Sequence, residues 1–122
     1  MRSRVEITLV RAPEAPRRAR RFVGGICLGW QVGVLAGDAE LVASELVENT
    51  LRHTESMPKL SLELRRGELT IAVADDSPHR AYVRADGHPG GFGMVLIEQT
   101  ARDWGCTPSD SGGKTVWARL MP

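Results

Sequence analysis

The stretch Ser44-Glu45-Leu46-Val47-Glu48-Asn49-Thr50-Leu51-Arg52-His53 decides how the rest of the chain is read. At about 100° per residue, positions four apart fall on one face of a helix. Glu45, Asn49 and His53 therefore form a single file of a carboxylate, a carboxamide and an imidazole, while Leu46 and Leu51 fall on other faces and can pack inward. Such a file is costly to bury without partners, so it is either a solvated face or the wall of a polar site. The flanks make the stretch a helix. Asp38 reads as the N-cap of a run from Ala39 to about Thr54, and Ser56 and Pro58 end it.

Before this helix, Val5-Glu6-Ile7-Thr8-Leu9-Val10 alternates apolar and polar residues, the pattern of a half-buried strand. Pro13 and Pro16 punctuate its exit. From Pro16 to about Trp30, the apolar positions Ala19, Phe22, Val23, Ile26 and Cys27 recur at helical spacing. Gly24 and Gly25 weaken that helix by up to about 1 kcal/mol each unless another backbone packs closely there. Gly33 to Gly37 reads as a turn.

After the central helix, Lys59–Arg65 and Leu69–Asp75 alternate cleanly on either side of Arg66-Gly67-Glu68, which predicts a β-hairpin. Residues 78–91 read as an irregular loop ending in Asp86-Gly87-His88-Pro89-Gly90-Gly91, and a loop of that length in a compact domain is usually functional. A helix is predicted from about Gly93 to Asp103, a short strand over Trp104–Thr107, a turn at Ser109–Gly113, and a final strand over Lys114–Leu120. The order β-α-α-β-β-α-β-β, with strands in adjacent pairs, predicts one α+β domain over residues 1–122. The expected architecture is a two-layer sandwich, a mixed, largely antiparallel sheet with three helices on one face.

Composition excludes several classes. With 122 residues the chain suits one domain with an ordinary core. Hydrophobic residues at 42% and charged residues at 25% suit a globular protein, not a disordered tail. A net charge of +1 argues against a dedicated nucleic-acid binder, so no direct nucleic-acid contact is expected. The run Arg17-Arg18-Ala19-Arg20-Arg21 on the first helix is either a solvated face or a surface for an acidic protein partner. Cys27 and Cys106 lie far apart without a CxxC partner and read as small buried hydrophobes in a reducing compartment. No apolar run reaches membrane-spanning length and the N-terminus lacks a signal-peptide core, so a cytoplasmic protein is expected.

Two glycine motifs fail. Gly113-Lys114-Thr115 mimics the end of a P-loop, but Pro108 stands where the first glycine is required, and a strand follows where a helix is needed. Gly91-Phe92-Gly93 could open a dinucleotide fingerprint, but Leu96 replaces the third small residue and no βαβ crossover surrounds it. What survives is more general. A glycine-rich loop running into a helix start offers unpaired N–H groups and a positive dipole end, which suit phosphate.

Taken together, the Glu45/Asn49 helix, the strand ending at Asp75, Gly91-Phe92-Gly93 at a helix start, and the Gly113-Lys114-Thr115 strand resemble the GHKL ATP-binding superfamily, the Bergerat fold. More closely, the chain resembles the small bacterial anti-sigma-factor serine kinases and their ATP-binding regulatory relatives. The resemblance runs from the Asp38 helix to the end of the chain. It implies ATP and Mg²⁺ as cofactors, with Asn49 holding the Mg²⁺ and Glu45 acting as base or orienting water. One carboxamide suffices for Mg²⁺, which otherwise takes phosphate and water oxygens, and a glutamate one turn away can accept a proton from a hydroxyl nucleophile. By the same resemblance His53 belongs to the nucleotide site, Asp75 accepts a hydrogen bond from the adenine amino group, and Gly91 and Gly93 lie beside the phosphates. Met94 is their apolar neighbour, and Thr115 stands near the adenine and Asp75.

The implied activity is phosphorylation of a serine or threonine on an anti-anti-sigma partner, with sequestration of a sigma factor. The implied partners are those two proteins and a second copy of the chain. One stretch departs from the pattern. The family's Asp-x-Gly-x-Gly reads Asp75-Asp76-Ser77-Pro78-His79 here, so side chains stand where the adenine pocket expects glycines. That departure favours a second reading, a non-catalytic protein-binding module with a degraded nucleotide pocket.

Overall fold

The computed structural model describes residues 2–78 and 92–122. Within them the chain runs β1 (Arg2–Thr8), α1 (Ala15–Gly29), a 3₁₀ turn (Gly33–Leu35), α2 (Ala36–His53), β2 (Lys59–Arg65), β3 (Glu68–Asp75), α3 (Phe92–Thr100), β4 (Asp103–Pro108) and β5 (Lys114–Leu120). The strands form one five-stranded sheet in the order β1-β2-β3-β5-β4. Every described pairing is antiparallel, in keeping with the expected α+β fold on a largely antiparallel sheet. The α1–α2 hairpin is the connection between the edge strand β1 and its neighbour β2.

Period-two alternation gives the sheet two unlike faces. Leu60 and Leu62 of β2, Leu69, Ile71 and Val73 of β3, and Val116, Ala118 and Leu120 of β5 are buried on the inner face. Against them pack Val42, Leu46 and Val47 of α2 and Met94 and Ile97 of α3. Fully burying each of the larger side chains stabilises the fold by about 1.5–3 kcal/mol. α1 lies against α2 through Ala15, Ala19, Val23 and Cys27, which repeat every four residues along one stripe. Its arginines, Arg17, Arg18, Arg20 and Arg21, are exposed.

The two adjacent glycines within α1, Gly24 and Gly25, have different surroundings. A Cβ on Gly24 would meet the Glu40 carboxylate of α2 at 2.8 Å, whereas one on Gly25 would meet nothing within 4 Å. Gly24 therefore marks the close approach of the helix pair. Cys27 is fully buried, and burial raises its thiol pKa, with Glu40 adding to the effect. Cys106 is half-buried, and no disulfide joins it to Cys27.

Several boundaries differ from expectation. Asp38 is not the N-cap of α2. The 3₁₀ turn feeds the helix from Gly33, so α2 begins at Ala36, and Asp38 lies in its first turn, where a carboxylate suits the helix dipole. The α3 helix stops at Thr100, and the chain turns at once into β4, whose Asp103 takes a forked ion pair from Arg119 of β5. The β2–β3 connection is a two-residue turn in which Arg66 and Gly67 both have positive φ, 54° and 78°. That is the type I′ geometry whose twist matches an antiparallel hairpin.

Candidate functional site

The central helix delivers its polar file as the spacing implies, but the three residues meet different surroundings. Asn49 is buried and donates from Nδ2 to Met94 Sδ at 3.2 Å. Glu45, one turn earlier, is half-buried beside the first turn of α3, and a Cβ placed on Gly93 would lie 2.5 Å from Glu45 Oε2 and 3.9 Å from Asn49 Oδ1. With glycine at 93, the Glu45 carboxylate can lie directly against the α3 backbone. Glu45, Asn49, Gly93 and Met94 are thus brought together at the start of α3. Burial pushes the Glu45 carboxyl above its usual range, the Glu48 carboxylate adds to this, and Arg52 opposes it.

His53 does not share that spot. It is the last residue of α2, exposed, and lines a cavity of about 440 Å³ with Thr54, Glu55, Ser56, Asp76 and Ser77. Side-chain bonds hold this helix exit. Thr54 Oγ1 donates to Thr50 O at 2.8 Å, and Arg11, from the β1–α1 connection, donates to Leu51 O and Ser56 O. A cation on the last carbonyls suits a helix C-terminus. The backbone N–H of Asp76 donates to Ser56 Oγ at 2.9 Å, which ties the end of α2 to the end of β3.

At the end of β3, Asp75 is buried on the inner face, following Leu69, Ile71 and Val73 by alternation. Its Oδ1 accepts from the Ser77 backbone N–H at 2.8 Å and from Lys114 Nζ at 3.0 Å. Lys114 also donates to Ser77 O at 3.3 Å, and the two charged side chains are 1% and 2% exposed. Asp75 and Lys114 are direct partners in the antiparallel register of β3 and β5. Gly113 permits the approach, since a Cβ there would lie 2.0 Å from Asp75 O.

The expectation for Thr115 is corrected by this register. Thr115 pairs with Ala74, so its side chain projects from the outer face of the sheet, away from Asp75. The residue that faces Asp75 is Lys114, which the reading of Gly113-Lys114-Thr115 passed over. A signal was present. Counting back by twos from Leu120, Ala118 and Val116 places Lys114, not Thr115, on the inner face. Gly91 and His79 lie outside the described residues.

Two features test the fit of Mg²⁺ and a nucleotide. The Asn49 amide oxygen and the Glu45 carboxylate stand together at the start of α3, a sparse oxygen donor set of the kind that suits Mg²⁺ when phosphate and water oxygens complete its shell. The base end does not fit in the same way, because its carboxylate already holds an ammonium group.

No family model matches the chain, and no curated protein matches it. Among solved structures, the crystal structure of the RsbU and RsbW domains of Rv1364c from Mycobacterium tuberculosis aligns with a TM-score of 0.70 at 19% identity, over 98% of this chain and 32% of that one. This chain spans about a third of that neighbour's length, and the two share a fold. Among the described residues no helix is long and apolar enough to cross a membrane.

Proposed function

We propose that this protein is an ATP- and Mg²⁺-binding regulator of the anti-sigma-factor kinase type. One observation supports the reading above the others: the carboxylate of Glu45 and the amide of Asn49 stand together against Gly93 at the N-terminal turn of α3. Bound ATP would supply the phosphoryl group to be transferred, with Mg²⁺ neutralising its charge. Asn49 would hold the metal through Oδ1, its Nδ2 being turned to Met94. The N–H groups that open α3 would face phosphate oxygens. Glu45 would take the proton of an incoming serine or threonine hydroxyl, a task helped by a carboxyl whose proton affinity is already raised. Partners in this reading are an anti-anti-sigma protein as substrate and a sigma factor as target, contacted by the arginine-bearing surface of α1.

The shared fold supports this reading, and so does the RsbW domain named in its structural neighbour. Binding of Mg·ATP at millimolar concentration by the wild type and by Asn49→Ala tests it. The reading stands if binding needs Mg²⁺ and Asn49, and fails if the wild type shows no such binding. Glu45→Ala is expected to keep nucleotide and lose transfer, and equal transfer in that variant removes Glu45 as base. The buried Asp75–Lys114 pair favours the second reading, a protein-binding module without chemistry. That reading is selected if the partner is bound equally by wild type and Asn49→Ala.

A further inference from the structure

The carboxylate that a purine amino group would address is already engaged. Asp75 Oδ1 accepts the Ser77 N–H at 2.8 Å and the Lys114 ammonium at 3.0 Å, and both charged side chains are shut off from solvent. An ammonium brings a full opposite charge to the carboxylate along with its hydrogen bond, which a neutral amine does not. The exocyclic amino group of adenine is neutral, so it competes poorly for this oxygen. The lysine is also fixed in place. The strand register sets it opposite Asp75, Gly113 lets β5 close on the Asp75 backbone, and Ser77 O takes a second Nζ bond.

From this geometry we propose that Lys114 is an internal occupant of the base-recognition position, so that the wild-type site holds a nucleotide by its phosphates and reads the base weakly. The inference rests on the nucleotide-binding reading above and adds what that site selects: Mg-triphosphates as a class, with little preference among bases. Replacing Lys114 by threonine, a short side chain suited to a strand, removes the ammonium from Asp75 Oδ1 and is expected to create an adenine preference.

The experiment compares Mg·ATP, Mg·ITP and Mg·tripolyphosphate by calorimetry. ITP replaces the amino group with a carbonyl, and tripolyphosphate has no base. The wild type is expected to bind all three within about threefold of one another. Lys114→Thr is expected to tighten ATP by about tenfold or more, the scale of one hydrogen bond to a charged acceptor, and to leave ITP and tripolyphosphate unchanged. A wild type that already prefers ATP over ITP tenfold overturns the inference, and this measurement needs no variant to fold. If Lys114→Thr folds and its ATP-to-ITP ratio equals that of the wild type, the inference is likewise overturned. Mg-dependent ATP binding that Asn49→Ala abolishes, combined with a strong wild-type adenine preference, leaves the proposed function standing and removes only the role of Lys114. Absence of binding to all three probes by the wild type and by folded Lys114→Thr removes both.

Discussion

At one end of the site, Glu45 and Asn49 reach from a single helix toward Gly93, and the Glu45 carboxyl bears the cost of its partial burial. At the other end, Asp75 and Lys114 face each other across two strands and neutralise one another out of contact with water. The first arrangement holds a charge in readiness, the second consumes it. The comparison teaches that one molecule can combine buried charges that compensate each other with a carboxylate that bears its own burial, and that the second kind is the one the proposed function turns toward a ligand. Substitutions at the base end should therefore appear first in stability, and those at the phosphate end first in binding.

The largest effect is expected from Lys114→Met. It removes the ammonium that neutralises a buried carboxylate, which costs about 3–5 kcal/mol in denaturant unfolding, and the double variant Asp75→Asn/Lys114→Met should recover much of that. A single variant as stable as the wild type would break the contrast. Gly113→Ala comes next. Its Cβ would lie 2.0 Å from Asp75 O, a backbone atom, so β5 must shift, at a cost of about 1–3 kcal/mol. Asn49→Ala should lose Mg-dependent ATP binding in calorimetry while costing only about 1 kcal/mol, the scale of its bond to Met94.

Smallest of all is Glu45→Gln, and its sign is opposite. The folded carboxyl holds its proton more tightly than the unfolded one, because its pKa is raised. That contribution is present in acid and is lost as pH rises through the folded pKa. At neutral pH Glu45→Gln should therefore unfold at a slightly higher temperature than the wild type, and below the ordinary carboxylate range the two should converge. Solvent screening keeps the difference within about 0.5 kcal/mol. A Glu45→Gln variant less stable than the wild type at neutral pH would show that the carboxylate supports the fold as the Asp75 end does.

The Glu45–Asn49 pair was legible because it needs little beyond helical geometry. Spacing of four residues fixes Glu45 and Asn49 on one face whatever else the chain does. The elements themselves were legible for the same local reason, as alternation marked β2 and β5 to the residue. The Asp75 end needed two facts at once, the face of each strand and the register between them. Alternation holds the first, since Lys114 falls in step with Val116 and Ala118. The second depends on which strands become neighbours, and β5 lies beside β3 only because β4 takes the edge. A motif match alone points to Thr115, whereas the alternation of faces points to Lys114. The start of α2 was misread because a 3₁₀ turn supplied the entry that Asp38 seemed suited to provide.

The tight turn at Arg66–Gly67 has a practical use. It closes the hairpin at the end of β3 opposite Asp75, with seven residues of β3 between Gly67 and Asp75. At about 3.3 Å per residue, that places the turn roughly 26 Å along the strand from Asp75. A fluorophore or surface tether attached at exposed Arg66 would hold the molecule by the rim of its sheet farthest from Asp75. Immobilised there, the protein presents the Asp75, Asn49 and Gly93 end to solution, the orientation that sensor measurements of nucleotide and partner binding require.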